Sequence, residues 1–270
     1  MRKAEKMDQL VNDAVSRREF AKRTMLGSLV AVGGLSVMDV EQVLAQKLTD
    51  TDILNFALNL EYLEAEFYTV ATTGKRIEDA GIDVNGRGRG GATTGGAQVS
   101  LDDRTRTVAE AITLDEQAHV AFLRKALGGD AVAKPAINLE ALGLGFRNQT
   151  EFITLARAFE DTGVSAYGGA APLIDNTRIL AAAARIALTE AQHAGVLRYL
   201  AFQGGVTTPQ VDEQDVPVTG SPNGRLFFVD GNGLSIVRDA DKVAAIVLDG
   251  RFRREGGFFP AGLNGTIDRS

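Results

Sequence analysis

The chain has 270 residues, a formal net charge of −6 and no cysteine. Its length allows one large domain or two modest ones, and its apolar fraction of 44% and charged fraction of 24% are typical of an ordinary globular protein. The missing cysteine excludes disulfides, iron–sulfur clusters, thiolate zinc sites and a cysteine nucleophile, and the acidic balance argues against nucleic acid as a main partner, because phosphate binding needs a basic face.

Residues 1–45 are predicted to be an export signal. Residues 16–22 (Ser-Arg-Arg-Glu-Phe-Ala-Lys) resemble the twin-arginine export motif, an uncharged run covers residues 25–38, and Val-Leu-Ala at 43–45 offers the residues that a signal peptidase reads. The uncharged run is shorter than the roughly 20 apolar residues of a membrane span. We therefore expect the twin-arginine machinery as a partner, cleavage near Ala45, a periplasmic or extracytoplasmic location and no stable membrane span afterwards. The alternative is a soluble amphipathic helix.

The first predicted helix covers about residues 51–72. Five residues share one face of it at 4-3-4-3 spacing: Leu54, Leu58, Glu61, Ala65 and Tyr68. An acid within such an apolar stripe is unfavourable unless it is paired or bound to a metal, so Glu61 is a candidate ligand. Glu66 and Glu78 are interpreted as solvated charges, the commoner fate of acids on helices.

The glycine-rich segment 81–98 is predicted to be a flexible surface loop. A second helix is expected from an N-cap at Ser100 to about residue 127. A third opens at Asn148, where Glu151 is placed for a capping box, and ends near Pro172. A fourth covers about residues 177–202.

Two short motifs carry the chemistry. Glu116 and His119 lie three residues apart on the second helix, and Glu190 and His193 do so on the fourth. Residues at this spacing share a helix face, so the carboxylate and the imidazole can point at one spot. The chain contains only two histidines, and both belong to these motifs.

The helices repeat in pairs. Four pairs of residues correspond in the two halves: Glu61 with Glu160, Tyr68 with Tyr167, Glu116 with Glu190, and His119 with His193. The order along the chain is therefore Glu, Glu-x-x-His, Glu, Glu-x-x-His. Glu64 is an alternative ligand to Glu61, but Gly163 stands at its matching place, so the repeat favours Glu61. Arg124 and Arg198 also correspond, either paired with acids or capping the apolar stripe.

This order resembles the ligand set of the ferritin-like superfamily of di-iron and di-manganese carboxylate proteins, across residues 50–203. Residues 60–68 and the Gly-Gly-Phe-Phe-Pro run at 256–260, with Asn264-Gly265 after it, are similar to an exported bacterial ferritin-like family related to plant desiccation-related proteins. The resemblance implies an all-α, ferritin-like four-helix bundle, up-down-down-up with one long crossover, over residues 46–203.

The resemblance also implies a centre of two iron or manganese ions. Glu116 and Glu190 would bridge the ions, Glu61 and Glu160 would be terminal ligands, and each histidine would bind one ion. Two divalent ions would balance four carboxylates, whereas four buried acids without cations would repel one another. A metal-free, hydrogen-bonded network is the alternative.

Three residues are predicted beside the ligands. Metal-bound histidines usually donate their second N–H to a carboxylate or carbonyl, and Asp115 is a candidate acceptor, although Thr189 replaces it in the second copy. Tyr68 and Tyr167 are either hydrogen-bonding or radical-carrying neighbours of the centre, or plain core tyrosines. No catalytic residue is predicted beyond the metal site.

Residues 204–270 are predicted to be a tail that wraps the bundle and covers one end. A β-hairpin is expected from residues 226–229 and 234–237, and a short helix from residues 239–248. Two functions stay open. One is ferroxidase-like or catalase-like redox chemistry with O2, peroxide or Fe(II), and the other is a non-catalytic stress or desiccation role for the envelope. A homodimer is compatible with both.

Overall fold

The computed structural model describes residues 48–219, 225–250 and 253–267. All of these except Leu48 belong to one compact unit, Thr49–Ser270. The predicted export signal, residues 1–45, lies outside the described residues and stays a prediction. Within the described ranges, no helix combines the length and the apolar character that crossing a membrane requires.

Four long helices and one short helix account for about half of the residues that are described in this unit. Their bounds are Asp50–Thr73 (α1), Asp103–Leu127 (α2), Gln149–Ala170 (α3), Thr177–Gln203 (α4) and Ala240–Val247 (α5). Short 3-10 turns lie at Ile77–Ala80, Gly128–Asp130 and Ala171–Leu173. The predicted fold class, a four-helix bundle with a tail that carries a short helix, is confirmed.

Polar caps set where the helices begin. The predicted N-cap Ser100 is wrong, because the N-cap of α2 lies two residues later, at Asp102, whose side chain accepts a hydrogen bond from a backbone N–H of the first turn. Asn148 caps α3 as expected and accepts from the N–H of Glu151 at 3.0 Å. The Glu151 carboxylate instead accepts from the N–H of Gly145, so the predicted capping box forms only by half.

Backbone and cap contacts fix the helix directions. The N–H of Val99 donates to the carbonyl of Ala71, so α2 begins where α1 ends. The N–H of Asp102 donates to the side chain of Gln149 at 2.7 Å, so α2 and α3 begin side by side. The two helices therefore run in the same direction, opposite to α1.

The fourth helix returns to the direction of the first. Asp50, the first residue of α1, accepts a hydrogen bond from the N–H of Asn176, the N-cap of α4. The order is thus up-down-down-up, and residues 128–148 are the long crossover. The pairs α1–α2 and α3–α4 pack along their lengths, and α1–α3 and α2–α4 contacts close the bundle.

The glycine-rich segment is held against the crossover, which differs from the flexible loop expected. Strand β1 (Thr93–Thr94) pairs in parallel with β2 (Ile137–Asn138). A Cβ on Gly86 would lie 2.3 Å from the carbonyl oxygen of Ala131, and one on Gly91 would lie 2.4 Å from another backbone atom of the crossover. These two glycines allow two backbones to approach closely, which is a reason for glycine other than flexibility.

Glu66 is buried and paired, so its interpretation as a solvated charge is wrong. Its carboxylate binds the ammonium group of Lys134, whose side chain is equally buried, and accepts from the hydroxyl of Thr93 at 2.6 Å. The same ammonium group lies 2.9 Å from Glu78, whose side chain is 39% exposed. A buried charge needs such partners, and here they tie α1 to both the glycine-rich segment and the crossover.

The tail packs along the bundle within the same compact unit. The predicted hairpin is limited to one antiparallel bridge, between Val229 and Ser235. Further along, the N–H of Arg238 donates to the carbonyl of Ser165 on α3. The buried ring of Phe258 then meets Phe159 of α3 with 5.1 Å between centroids.

Asn264 fastens the end of the tail. Its backbone exchanges two hydrogen bonds with the side chain of Asn59 on α1, at 2.8 and 3.0 Å. Its side-chain amide donates to the carbonyls of Arg89 and Ala133 and accepts from the N–H of Arg89. One residue therefore joins α1, the glycine-rich segment and the crossover.

Candidate metal centre

Each long helix directs acidic or imidazole side chains into the middle of the bundle. The four carboxylates are at most 1% exposed, and the side chains of His119 and His193 are 11% and 7% exposed, so most of the group is shielded from bulk water. All six predicted ligands meet there: Glu61 from α1, Glu116 and His119 from α2, Glu160 from α3, and Glu190 and His193 from α4.

The first half of the centre surrounds His119. Its Nδ1 lies 3.2 Å from Oε2 of Glu61, 3.3 Å from Oε2 of Glu116 and 3.3 Å from Oε1 of Glu190. These four residues each offer one ligand atom, and the four atoms lie within 4.8 Å of one another. A single cation can therefore contact all four.

The second half surrounds His193. Its Nδ1 lies 3.1 Å from Oε1 of Glu116 and 3.3 Å from Oε2 of Glu160. With Glu190 these residues form a second group of four within the same 4.8 Å limit. Glu116 and Glu190 belong to both groups, whereas the other ligands belong to one each, so the shared pair lies where bridging ligands are needed.

The carboxylates strongly affect one another. Burial, and after it the charge of Glu190, raises the pKa of Glu116 to about 8. Burial and the charge of Glu160 raise the pKa of Glu190 well above its ordinary value. Glu61 is the exception: burial opposes its charge, but the hydrogen bond and charge of His119 outweigh burial and lower its pKa.

The histidines, unlike most of the carboxylates, are favoured in their charged forms. Burial disfavours their charged forms, yet hydrogen bonds to carboxylates outweigh burial and raise the pKa of His193 to about 11. The same balance raises the pKa of His119 well above its ordinary value. Without a cation the centre therefore retains protons, and a metal ion that binds there must displace them.

Several buried ligand atoms have no hydrogen bond of good geometry to any described residue, although imidazole and carboxylate atoms lie within 3.3 Å of each other. They are Oε2 of Glu61, Oε1 of Glu116, both carboxylate oxygens of Glu160 and of Glu190, and Nδ1 of His193. Buried acceptors without donors are unfavourable, and divalent cations between the helices would satisfy them. Carboxylate oxygens with two imidazole nitrogens suit metals of intermediate hardness, such as iron and manganese. The residues present therefore fit a di-metal centre.

The two tyrosines both flank the centre but differ in their bonds. The hydroxyl of Tyr167 donates to Oε1 of Glu61 at 2.5 Å. The hydroxyl of Tyr68 is buried and interacts with the carboxylate of Glu160, but without a hydrogen bond of comparable geometry. Burial, followed by the nearby carboxylates, raises the pKa of both phenols well above the ordinary value, so both hydroxyls keep their protons.

Asp115 lies on the outer side of the centre. Its Oδ2 is 3.0 Å from Nε2 of His193, the ring nitrogen that faces away from the carboxylates, and its side chain is 53% exposed. The residue that matches Asp115 in the repeat, Thr189, uses its hydroxyl to bind the carbonyl of Arg185. Asp115, which belongs to the first copy of the motif, can therefore accept a hydrogen bond from His193 of the second copy.

Glu64 lies beside the centre but in neither group of four. It is buried, and desolvation with the charge of Glu190 raises its pKa well above the ordinary value. A Cβ on Gly163 would lie 2.6 Å from Oε2 of Glu190 and 3.3 Å from Oε1 of Glu64. The glycine thus leaves the room in which these two carboxyl groups lie.

A buried ionic cluster lies between α3, α4 and the tail, and the sequence analysis did not predict it. Arg198 is 1% exposed and donates to Asp161 at 2.6 Å and to carbonyls of the tail, including that of Val216. Arg157, also buried, donates to both carboxylate oxygens of Asp215. The arginine match in the repeat pointed to Arg198, but nothing in the sequence identified the partners of these arginines.

One family model matches the chain. It is described as a ferritin-like domain and covers residues 49–203, which is more than half of the chain. The match begins at the N-cap of α1 and ends at the last residue of α4, so it includes every residue of the centre. No curated protein matches the chain.

Proposed function

Because the chain belongs to the ferritin-like domain family, we propose that it is an exported protein that binds two iron or manganese ions and reacts with O2, peroxide or Fe(II). The observation that carries the proposal is the pair of four-residue groups that share Glu116 and Glu190. Two bound ions that each change by one electron would together supply the two electrons that the reduction of peroxide takes.

The chain's own residues would hold this centre neutral and oriented. The four ligand carboxylates would balance two divalent ions. The hydroxyl of Tyr167 would fix the orientation of Glu61 through its 2.5 Å hydrogen bond, and Asp115 would fix the ring of His193. The histidines must lose a proton to bind, so metal uptake should release protons and weaken at acidic pH.

Export is part of the proposal, supported by the twin-arginine pattern at residues 16–22 and by the likeness of residues 60–68 and 256–260 to an exported family related to desiccation-related proteins. In this view the twin-arginine machinery carries the folded, metal-loaded chain. The mass of the chain recovered from outside the cytoplasm should correspond to cleavage near Ala45, and Arg17→Lys with Arg18→Lys should leave the chain uncleaved in the cytoplasm. Gel filtration of the same material would test the homodimer.

Metal content tests the centre itself. Elemental analysis of the purified protein should find about two iron or manganese ions per chain, lost in His119→Ala/His193→Ala. Gln192→Ala is the matched control, because Gln192 is an exposed residue of α4 next to a ligand. Peroxide loss and Fe(II) oxidation are then measured on the loaded protein and on Glu116→Gln.

The outcomes separate the alternatives. No metal in the protein, even after anaerobic addition of Fe(II) or Mn(II), would overturn the proposal. Two ions without turnover of peroxide, O2 or Fe(II) would leave the non-catalytic stress or desiccation role, in which the metals only stabilise the bundle. Turnover that survives the loss of both histidines would show that the activity arises elsewhere.

A further inference from the structure

We infer that the two halves of the centre bind metal unequally. In this inference, which rests on the proposed function, the half formed by Glu160 and His193 is the tight position that fills first. The half formed by Glu61 and His119 is the weaker, exchangeable position. The six ligands repeat faithfully, but the residues that contact them do not, and the differences all favour the same half.

The first difference is the partner of the histidine. The carboxylate of Asp115 lies 3.0 Å from Nε2 of His193 and can accept the proton of that nitrogen. Such an acceptor makes the opposite nitrogen a stronger ligand and fixes the ring. His119 would receive the same help from Thr189, but that residue has no carboxylate and its hydroxyl is bound to the carbonyl of Arg185.

The second difference is the terminal carboxylate. Oε1 of Glu61 accepts the hydrogen bond of Tyr167 at 2.5 Å, which withdraws negative charge from that carboxylate and leaves Oε2 for a metal. The matching hydroxyl, that of Tyr68, approaches Glu160 without a hydrogen bond of comparable geometry, and the 3.3 Å contact between Oε2 of Glu160 and Nδ1 of His193 is one that a metal would replace. Glu160 can therefore turn both oxygens to a metal, whereas Glu61 offers one oxygen and part of its charge.

Exposure acts in the same direction. The side chain of His119 is 11% exposed and that of His193 is 7% exposed. His119 also approaches three carboxylates where His193 approaches two, but these are the contacts that a metal would replace in either half. The hydrogen bonds of Asp115 and Tyr167 use Nε2 of His193 and Oε1 of Glu61, which are not the atoms of those contacts, so a metal can bind without breaking them, and we infer that they decide the difference in affinity.

A titration with Mn(II) alone tests the inference without any assay of activity. Metal-stripped protein is titrated with Mn(II), the free ion is followed by electron paramagnetic resonance, and a chelator of known affinity competes for it. The wild-type protein should bind Mn(II) in two distinct steps. His119→Ala should keep the tight step and lose the weak one, and His193→Ala should lose the tight step.

Exchange of the two matched residues gives the sharper test. Asp115→Thr places beside His193 the residue type that the repeat has at position 189, so His193 loses its carboxylate acceptor. The dissociation constant of the tight step should rise by about 10–100-fold. Thr189→Asp does the reverse and should strengthen the weak step. The side chains of Asp115 and Thr189 lie on the outer side of α2 and α4, so both variants should keep the fold. Circular dichroism spectra and melting temperatures of the variants check this.

Each result has a defined meaning. Two equal steps in the wild type, or an equal loss from both steps in Asp115→Thr, would overturn the inference while the proposed function stands. A tight step that survives in His193→Ala but not in His119→Ala would reverse the assignment and overturn it as well. If the wild-type protein binds no Mn(II) or Fe(II), the proposed function fails and the inference fails with it.

Discussion

The centre should destabilise the protein when metal is absent, and Glu116→Gln is the substitution that measures this. Glu116 is completely buried among other carboxylates, and its pKa is raised to about 8 from 4.5. In the unfolded chain the same carboxyl group ionises freely in water. The folded, metal-free protein therefore holds a proton that the unfolded chain has released at neutral pH.

The sign and the size follow from linkage. A raised folded pKa in an acid means that stability is full below pH 4.5 and is lost as the pH rises toward 8. At pH 7 this loss is about 3 kcal/mol for Glu116. Glutamine keeps the shape and has no ionisation, so the metal-free variant should be more stable than the wild type at pH 7 and similar to it at pH 4.5.

Urea unfolding with and without metal is the assay. With a chelator present, Glu116→Gln should raise the free energy of unfolding at pH 7, and the gain should shrink toward pH 4.5. With Mn(II) or Fe(II) in large excess over its dissociation constant, the wild type should gain about 4 kcal/mol, and the variant should gain much less. A chelator-treated variant that is equally or less stable than the wild type at pH 7 would refute the reasoning.

Three further substitutions test other parts of the molecule. Arg198→Leu leaves the buried carboxylate of Asp161 without its closest partner and should lower the free energy of unfolding by about 3 kcal/mol or more, measured in urea. Gly163→Ala places a methyl group 2.6 Å from Oε2 of Glu190, so Mn(II) affinity in the competition titration should fall about tenfold or more. Asn264→Ala removes three side-chain hydrogen bonds and should speed proteolysis of the tail and lower stability by about 2 kcal/mol.

Each of these has a matched control on the same chain. Arg87→Leu breaks an exposed ion pair and should change stability by less than about 1 kcal/mol. Gly195→Ala adds a methyl group in open space on α4 and should raise stability by about 1 kcal/mol with metal uptake unchanged. Asn232→Ala alters an exposed turn and should leave the proteolysis rate as it is. A control that matches the effect of its partner would contradict the contact invoked.

The bundle and the grouping of six acidic and imidazole side chains inside it were predictable because their signals are periodic. Glu61 lies in the apolar face of α1, and a helix of regular geometry brings every residue of that face to the same interior. The match of Glu61 with Glu160 then separated it from Glu64, which the structure leaves outside both groups of four. Helix geometry and an internal duplication are enough to bring six side chains together, even without knowledge of the crossover.

Contacts between segments distant in the chain were not predictable in the same way. Glu66 lies off the apolar face that the periodicity of α1 marks, and only the fold shows that it is buried and that Lys134 reaches it from the crossover. Gly86 and Gly91 look like residues of a flexible loop. The sequence alone does not show whether a glycine gives the backbone flexibility or lets two backbones approach closely, as these two do. The hairpin was expected over two four-residue strands, yet the chain pairs only at Val229 and Ser235, and the apolar side chains of Phe227, Leu234 and Val237 stay exposed, so these segments lack the shared buried face that holds two strands together.

The repeat also relates the contacts that attach the glycine-rich segment and the C-terminal tail to the bundle. Arg124 and Arg198 each follow a ligand histidine by five residues, so they leave α2 and α4 at equivalent places. Arg124 binds Asp83 and the carbonyl of Asn85 in the glycine-rich segment, whereas Arg198 binds carbonyls of the C-terminal tail. The same position of the repeat can thus hold two unrelated segments, because a guanidinium group presents several donors to whatever backbone lies beside it. The ligand positions lack this freedom, because a centre shared by both halves needs a carboxylate or an imidazole at each of them.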